Sequence, residues 1–111
     1  MTDPDDRKLV LLARATRART GAVEGAAVRD RDGRTYTAAR VELPSLQLSA
    51  LALAVSMAVS SGARGLEAAA IVTGADAVAD ADLTVVRDLT GPGVPVWRAD
   101  TGGTVVERSM T

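Results

Sequence analysis

From Leu43 to Ala63 the chain runs 21 residues without a charge. In a protein of 111 residues, whatever buries that span sets the architecture. The span is long enough to cross a bilayer. However, it contains Pro44, Gln47, Ser45, Ser49, Ser56, Ser60, Ser61 and Gly62, and much of its apolar content is alanine. A buried central helix over residues 45–61 (SLQLSALALAVSMAVSS), closed by Gly62 and Gly65, is the better reading, with no membrane association.

The flanks supply elements to cover that helix. Residues 3–19 predict a first helix: Asp3 caps it, Pro4 takes the first helical position, Asp5 and Asp6 suit its positive end, and Gly21 stops it. Residues 22–29 and 34–40 read as strands around Asp30-Arg31-Asp32-Gly33, whose Asp-Gly pair signals a hairpin. Pro44 then helps start the central helix. Residues 67–73 read as a short buried strand and 77–89 as a third helix, with Asp76 and Asp80 near its start. Residues 94–99 and 104–108 form a closing pair of strands around Gly102-Gly103. The order α-β-β-α-β-α-β-β implies one α/β domain over residues 1–111, a mixed five-stranded sheet between helical layers.

Missing residue types exclude much chemistry. The chain has no Cys and no His. It therefore offers no disulfide, no thiolate nucleophile, no imidazole base and no zinc site of the usual nitrogen and sulfur type. Asp76, Asp80, Asp82 and Asp88 lack the turn glycine and terminal Glu of a calcium loop. No metal and no cofactor is expected. Residues 1–40 carry nine basic and six acidic side chains, and residues 41–111 carry four and eight. The resulting +3 and −4 sum to the net −1, a mild dipole and not the basic stripe of a nucleic-acid binder. The acidic N-terminus, Asp3, Asp5 and Asp6, does not read as a signal peptide, so a cytoplasmic location is expected.

An ordered set of short motifs adds a family to this reading. Glu24-Gly25-Ala26-Ala27-Val28, Asp32-Gly33-Arg34-Thr35-Tyr36, Val41-Glu42 and Ala58-Val59-Ser60-Ser61-Gly62 follow one another along the chain. The series resembles VGAAL, DG-x-x-Y, N-x-E and AVSEG of the small homo-oligomeric cytidine deaminases, over roughly residues 7–90. The resemblance implies the three-layer α-β-α cytidine deaminase-like fold. It also implies zinc-assisted hydrolysis of an exocyclic amine. A Cys-Ala-Glu motif at the central helix would give one zinc ligand and the proton shuttle, and a Pro-Cys-x-x-Cys motif at the next helix two further ligands.

Carried over position by position, the resemblance puts Ser49, Ala50 and Leu51 at Cys-Ala-Glu, and Ala79 and Asp82 at Cys-x-x-Cys. A hydroxyl is a poor zinc ligand, and Leu51 cannot move a proton. Ala22 stands where a base-stacking Phe is expected. Arg40 replaces the ribose-binding Asn, while Glu42 keeps the Glu. The segment from Arg40 to Ser49 is about two residues short of the family pattern. A zinc site stripped of every ligand packs as ordinary core, whereas one stripped of a single ligand leaves buried charge unpaired.

The expectation is therefore a catalytically inactive cytidine deaminase-like protein serving as an oligomeric scaffold or binding protein, with no catalytic residue. Its partner would be a second copy, in a dimer or tetramer joined through the central helix 45–61. Two alternatives stand beside it. One is a nucleoside- or nucleotide-sensing protein with a vestigial pocket at Arg40, Glu42 and Ser49. The other is an RNA- or protein-interaction module using the Arg-rich first helix (Arg7, Arg14, Arg17, Arg19), with RNA the less favoured partner.

Overall fold

Helix α1 spans Pro4–Thr20. Asp3 caps it by accepting a hydrogen bond from the Asp5 amide at 2.8 Å, and Gly21, at a φ of +69°, closes it with its N–H on the Arg17 carbonyl. The structure, a computed structural model, describes Met1 and residues 3–111. After α1 come β1 (Glu24–Asp30), β2 (Thr35–Ala39), β3 (Val41–Leu43), β4 (Leu46–Leu48), α2 (Ala50–Ser60), β5 (Leu66–Thr73), α3 (Asp80–Thr90), β6 (Pro95–Ala99) and β7 (Val105–Met110).

Five strands form one mixed sheet in the order β2-β1-β5-β6-β7. Only β5 and β6 are parallel; the other neighbours are antiparallel. Alternation along the strands divides the core between two faces. Ala27, Ala68, Ala70, Val72 and Ala99 meet Leu9, Val10 and Ala13 of α1. On the opposite face Ala26, Val28, Ala69, Ile71 and Val96 meet Leu51, Ala54, Val55 and Ala58 of α2 and Val86 of α3. The three layers are those expected from the sequence.

Small residues let the layers approach. At Gly25 a Cβ would overlap the Ala13 carbonyl oxygen and stand 2.9 Å from the Arg17 amide nitrogen, so α1 rests directly on the β1 backbone. Asp6 of α1 ties the layers by polar contact. It accepts from Arg29 of β1 at 2.8 Å and from the Trp97 indole N–H of β6 at 3.0 Å.

The structure corrects the expected start of the central helix. Residues 45–49 are not helical. Val41–Leu43 pairs antiparallel with Leu46–Leu48 through a turn at Pro44-Ser45, and the helix begins at Ala50. Pro44 thus serves the hairpin turn and not a helix start. Two causes combine: Leu46-Gln47-Leu48 alternates as a strand does, and Ser49 takes an extended backbone (φ −64°, ψ 155°) as the cap of α2. The third helix likewise begins at Asp80, later than residue 77. Among the described residues no helix is long and apolar enough to cross a membrane.

The β1–β2 hairpin shows how one carboxylate builds a turn. The Asp30 carboxylate accepts from the amides of Asp32 and Arg34, each at 2.9 Å, and from the Tyr36 hydroxyl at 2.9 Å. Gly33 supplies a φ of +85°. Burial alone would raise the Asp30 pKa. The Arg34 amide, the Tyr36 hydroxyl, the Asp32 amide and the Arg34 charge more than offset it, so the carboxyl titrates below its ordinary range. The Tyr36 hydroxyl is pushed up, chiefly by its bond to Asp30. Asp30 thus contributes stability that is full above the unfolded carboxyl pKa of ~4 and is lost as pH falls through its lower folded value. Asp30→Asn is expected to be less stable than the parent at pH 7, with the gap narrowing near pH 3. Urea midpoints at the two pH values check this; a constant gap contradicts it.

Candidate functional site

Two helices start at one corner of the molecule. Ser49 caps α2: its Oγ accepts from the Ala52 amide at 3.1 Å. The same Oγ donates to Oδ1 of Asp82, in the first turn of α3, at 2.6 Å. Asp82 is 7% exposed, and Ala79 is the cap residue of α3 with no side-chain bond of its own. A Ser in an alanine-rich helix commonly bonds back to its own backbone. Ser56 does so, to the Ala52 carbonyl at 2.7 Å, whereas Ser49 reaches across to another helix.

Glu24, the first residue of β1, completes the corner. One carboxylate oxygen, Oε1, accepts from the Ala50 amide at the start of α2 at 3.3 Å and lies 3.7 Å from the Arg40 guanidinium. The other accepts from the Thr73 hydroxyl at 3.4 Å. Arg40 follows β2 and turns its Nε to Oε1 of Glu42 at 2.6 Å. Its pKa is raised, first by that bond and then by the charges of Glu42, Glu24 and Asp82, with burial opposing. Arg17, Glu24, Arg40, Glu42 and Thr73 line an open cleft of about 530 Å³ at this end of the sheet.

The structure therefore brings Arg40, Glu42, Ser49 and Asp82 to one end of the fold. Leu51 points elsewhere. It is fully buried in the cluster with Ala26, Val28, Val78 and Val86. Ala79 is exposed. Sequence reasoning missed Glu24 and Thr73. The signal for Glu24 was a lone carboxylate opening the small apolar run Gly25-Ala26-Ala27-Val28, at a position where the resembled motif has Val.

The zinc that the resemblance implies does not fit these donors. At its ligand positions the chain offers one hydroxyl, one methyl group and one carboxylate, and the hydroxyl and carboxylate are bonded to each other. Among the described residues no group of three or more His, Cys, Asp or Glu side chains is placed to hold a metal ion.

The fold that carries this corner is similar to that of known proteins. A family model described as cytidine deaminase-like matches residues 2–103. Cytidine deaminase from Burkholderia pseudomallei is similar in structure, with a TM-score of 0.79 and 26% sequence identity, over 94% of this chain and 89% of that one. Cytidine deaminase from Mycobacterium tuberculosis aligns with a TM-score of 0.73 and 28% identity over 85% of each chain. The Mycobacterium leprae cytidine deaminase shares the fold, with a TM-score of 0.73 and 24% identity over 86% of this chain and 89% of that one. No curated protein sequence matches the chain.

The burial of Leu51 has a direct energetic consequence. Leu51→Glu places a carboxylate in an apolar cluster and is expected to destabilise the fold by at least ~3 kcal/mol. Leu51→Met keeps the volume and is expected to cost less than ~1.5 kcal/mol. Denaturant titration of the two variants checks the difference; a Glu variant as stable as the Met variant contradicts it.

Proposed function

The chain belongs to the cytidine deaminase-like family, and from that premise we propose that it is a non-catalytic member acting as an oligomeric scaffold or binding protein. The observation that carries the proposal is the pairing of Ser49 with Asp82. Two positions that the family motif assigns to zinc ligands hold a hydroxyl and a carboxylate that satisfy each other at 2.6 Å. Leu51, at the proton-shuttle position, lies wholly in the core. The polar groups at the cleft are also engaged with one another: Arg40 binds Glu42 and Glu24, and Glu24 binds Ala50 and Thr73. What remains is a folded frame without the zinc ligands and the Glu that the family motif uses to generate a nucleophile and carry protons.

The scaffold role draws support from α2. Its sequence Ala50–Ser60 carries no charge, and part of it remains on the surface. Met57 is 38% and Val59 53% exposed. Open grooves flank it, one of about 510 Å³ with Val55, Val59, Val85 and Leu89, the other of about 380 Å³ with Tyr36, Leu53 and Met57. An uncharged helix meets a second copy of itself across a two-fold axis without like-charge repulsion. A dimer or tetramer through α2 would cover the exposed Met57 and Val59.

A nucleoside-binding function is the second reading, favoured only by the cleft beside Arg40 and Glu42. A thermal-shift screen with nucleosides separates the two, because a ligand at 100 times its Kd adds ~2.7 kcal/mol. The scaffold reading expects no shift at millimolar nucleoside.

Two experiments test the main proposal. Purified protein supplied with zinc is expected to convert no cytidine to uridine above the uncatalysed rate; turnover overturns the non-catalytic reading. Light scattering at tens of micromolar is expected to give a mass of two or four chains, falling to one in Val59→Glu with unchanged circular dichroism. A monomeric parent protein overturns the oligomer.

A further inference from the structure

We infer that Ser49 and Asp82 form a metal-free clasp, in which one hydrogen bond joins the starts of α2 and α3 across the gap that a bound metal would otherwise bridge. The inference rests on the non-catalytic reading only in taking positions 49, 79 and 82 as former ligand positions. Its geometry stands without that reading.

Three observations converge on it. First, the bond is short, 2.6 Å, and joins residues 33 apart in sequence. Its acceptor is nearly buried, at 7% exposure, and a charged acceptor in such surroundings makes a strong bond. Second, the hydroxyl works twice. It caps α2 through the Ala52 amide while it donates to Asp82, so the α2 start is bound to α3 as soon as it is capped. Third, two helix N-termini meet here. Each presents unpaired N–H groups and a partial positive charge, and the corner holds carboxylates to meet them: Glu24 on the Ala50 amide and Asp82 in the first turn of α3. Thiolates around a metal answer the same electrostatic demand, since helix N-termini stabilise them too.

The bonded pair occupies two of the three positions that the family motif gives to zinc ligands. Ala79 is the cap residue of α3, with extended backbone, and Asp82 lies in the first turn that it opens. The nearly buried Asp82 carboxylate keeps this hydrogen-bond donor only while Ser49 is present.

A double-mutant cycle tests the clasp on the full chain. Ser49→Ala, Asp82→Ala and the double variant are compared with the parent by urea unfolding. The loss of the α2 cap and of the Asp82 charge at α3 cancel in the cycle, leaving the pair. The expected coupling is at least ~5-fold in the folding equilibrium constant. Effects that multiply to within ~2-fold overturn the clasp. A second variant carries Ser49→Cys, Ala79→Cys and Asp82→Cys together. It is expected to bind one zinc per chain, measured by native mass spectrometry, and to melt at a lower temperature after chelation. A folded triple variant that takes up no zinc overturns the equivalence of the two bridges. If that variant does not fold, the cycle decides alone.

Discussion

Two helices that begin side by side set a problem of charge. Their N-terminal amides lack partners within the helices and carry the positive ends of both dipoles. Anionic or accepting groups must stand between them, and those groups must themselves be held. Here Ser49, Asp82 and Glu24 do this, with Arg40 balancing the carboxylates. The sheet depends on the same corner. Glu24 opens β1 and Thr73 ends β5, so the bonds that settle α2 also fix the ends of two neighbouring strands. Leu51, two residues beyond the cap, then drops into the core between α2 and the sheet.

Family membership gives this corner its meaning. In a fold shared with cytidine deaminases, the helix starts carry positions that the family motif gives to metal ligands and a proton shuttle. This chain fills them with a hydroxyl, a methyl group, a carboxylate and an isobutyl group. The replacements agree with one another: the polar pair satisfies itself, and the apolar shuttle position joins the core. The nearly buried Asp82 carboxylate has a donor in the Ser49 hydroxyl, and Leu51 adds no polar group to the core.

Much of the fold was legible because its signals are local. Asp3, Pro4 and Gly21 bracket α1, and Asp30 to Gly33 mark the first hairpin. The order of strands and helices then fixes a mixed sheet between helical layers. The start of α2 was not legible. Leu43 to Leu48 continues an apolar run, and strands of three residues carry too little alternation to separate from a helix. The Ser49–Asp82 bond was invisible for another reason: it spans 33 residues and depends on where two helices happen to start. Both residues were picked out singly, through the family pattern. Glu24 escaped notice because an acid at a strand start usually faces water, and only the tertiary arrangement turns it under α2.

At the corner, a hydrogen bond between Ser49 and Asp82 stands where the family motif has metal ligands, and the non-catalytic proposal turns on whether a metal binds there all the same. The most direct measurement is the metal content of the parent protein, purified from zinc-supplemented cells and weighed by native mass spectrometry. The expected mass is that of the bare polypeptide, unchanged by added chelator. One zinc retained per chain, lost only on chelation or unfolding, contradicts the non-catalytic, metal-free reading.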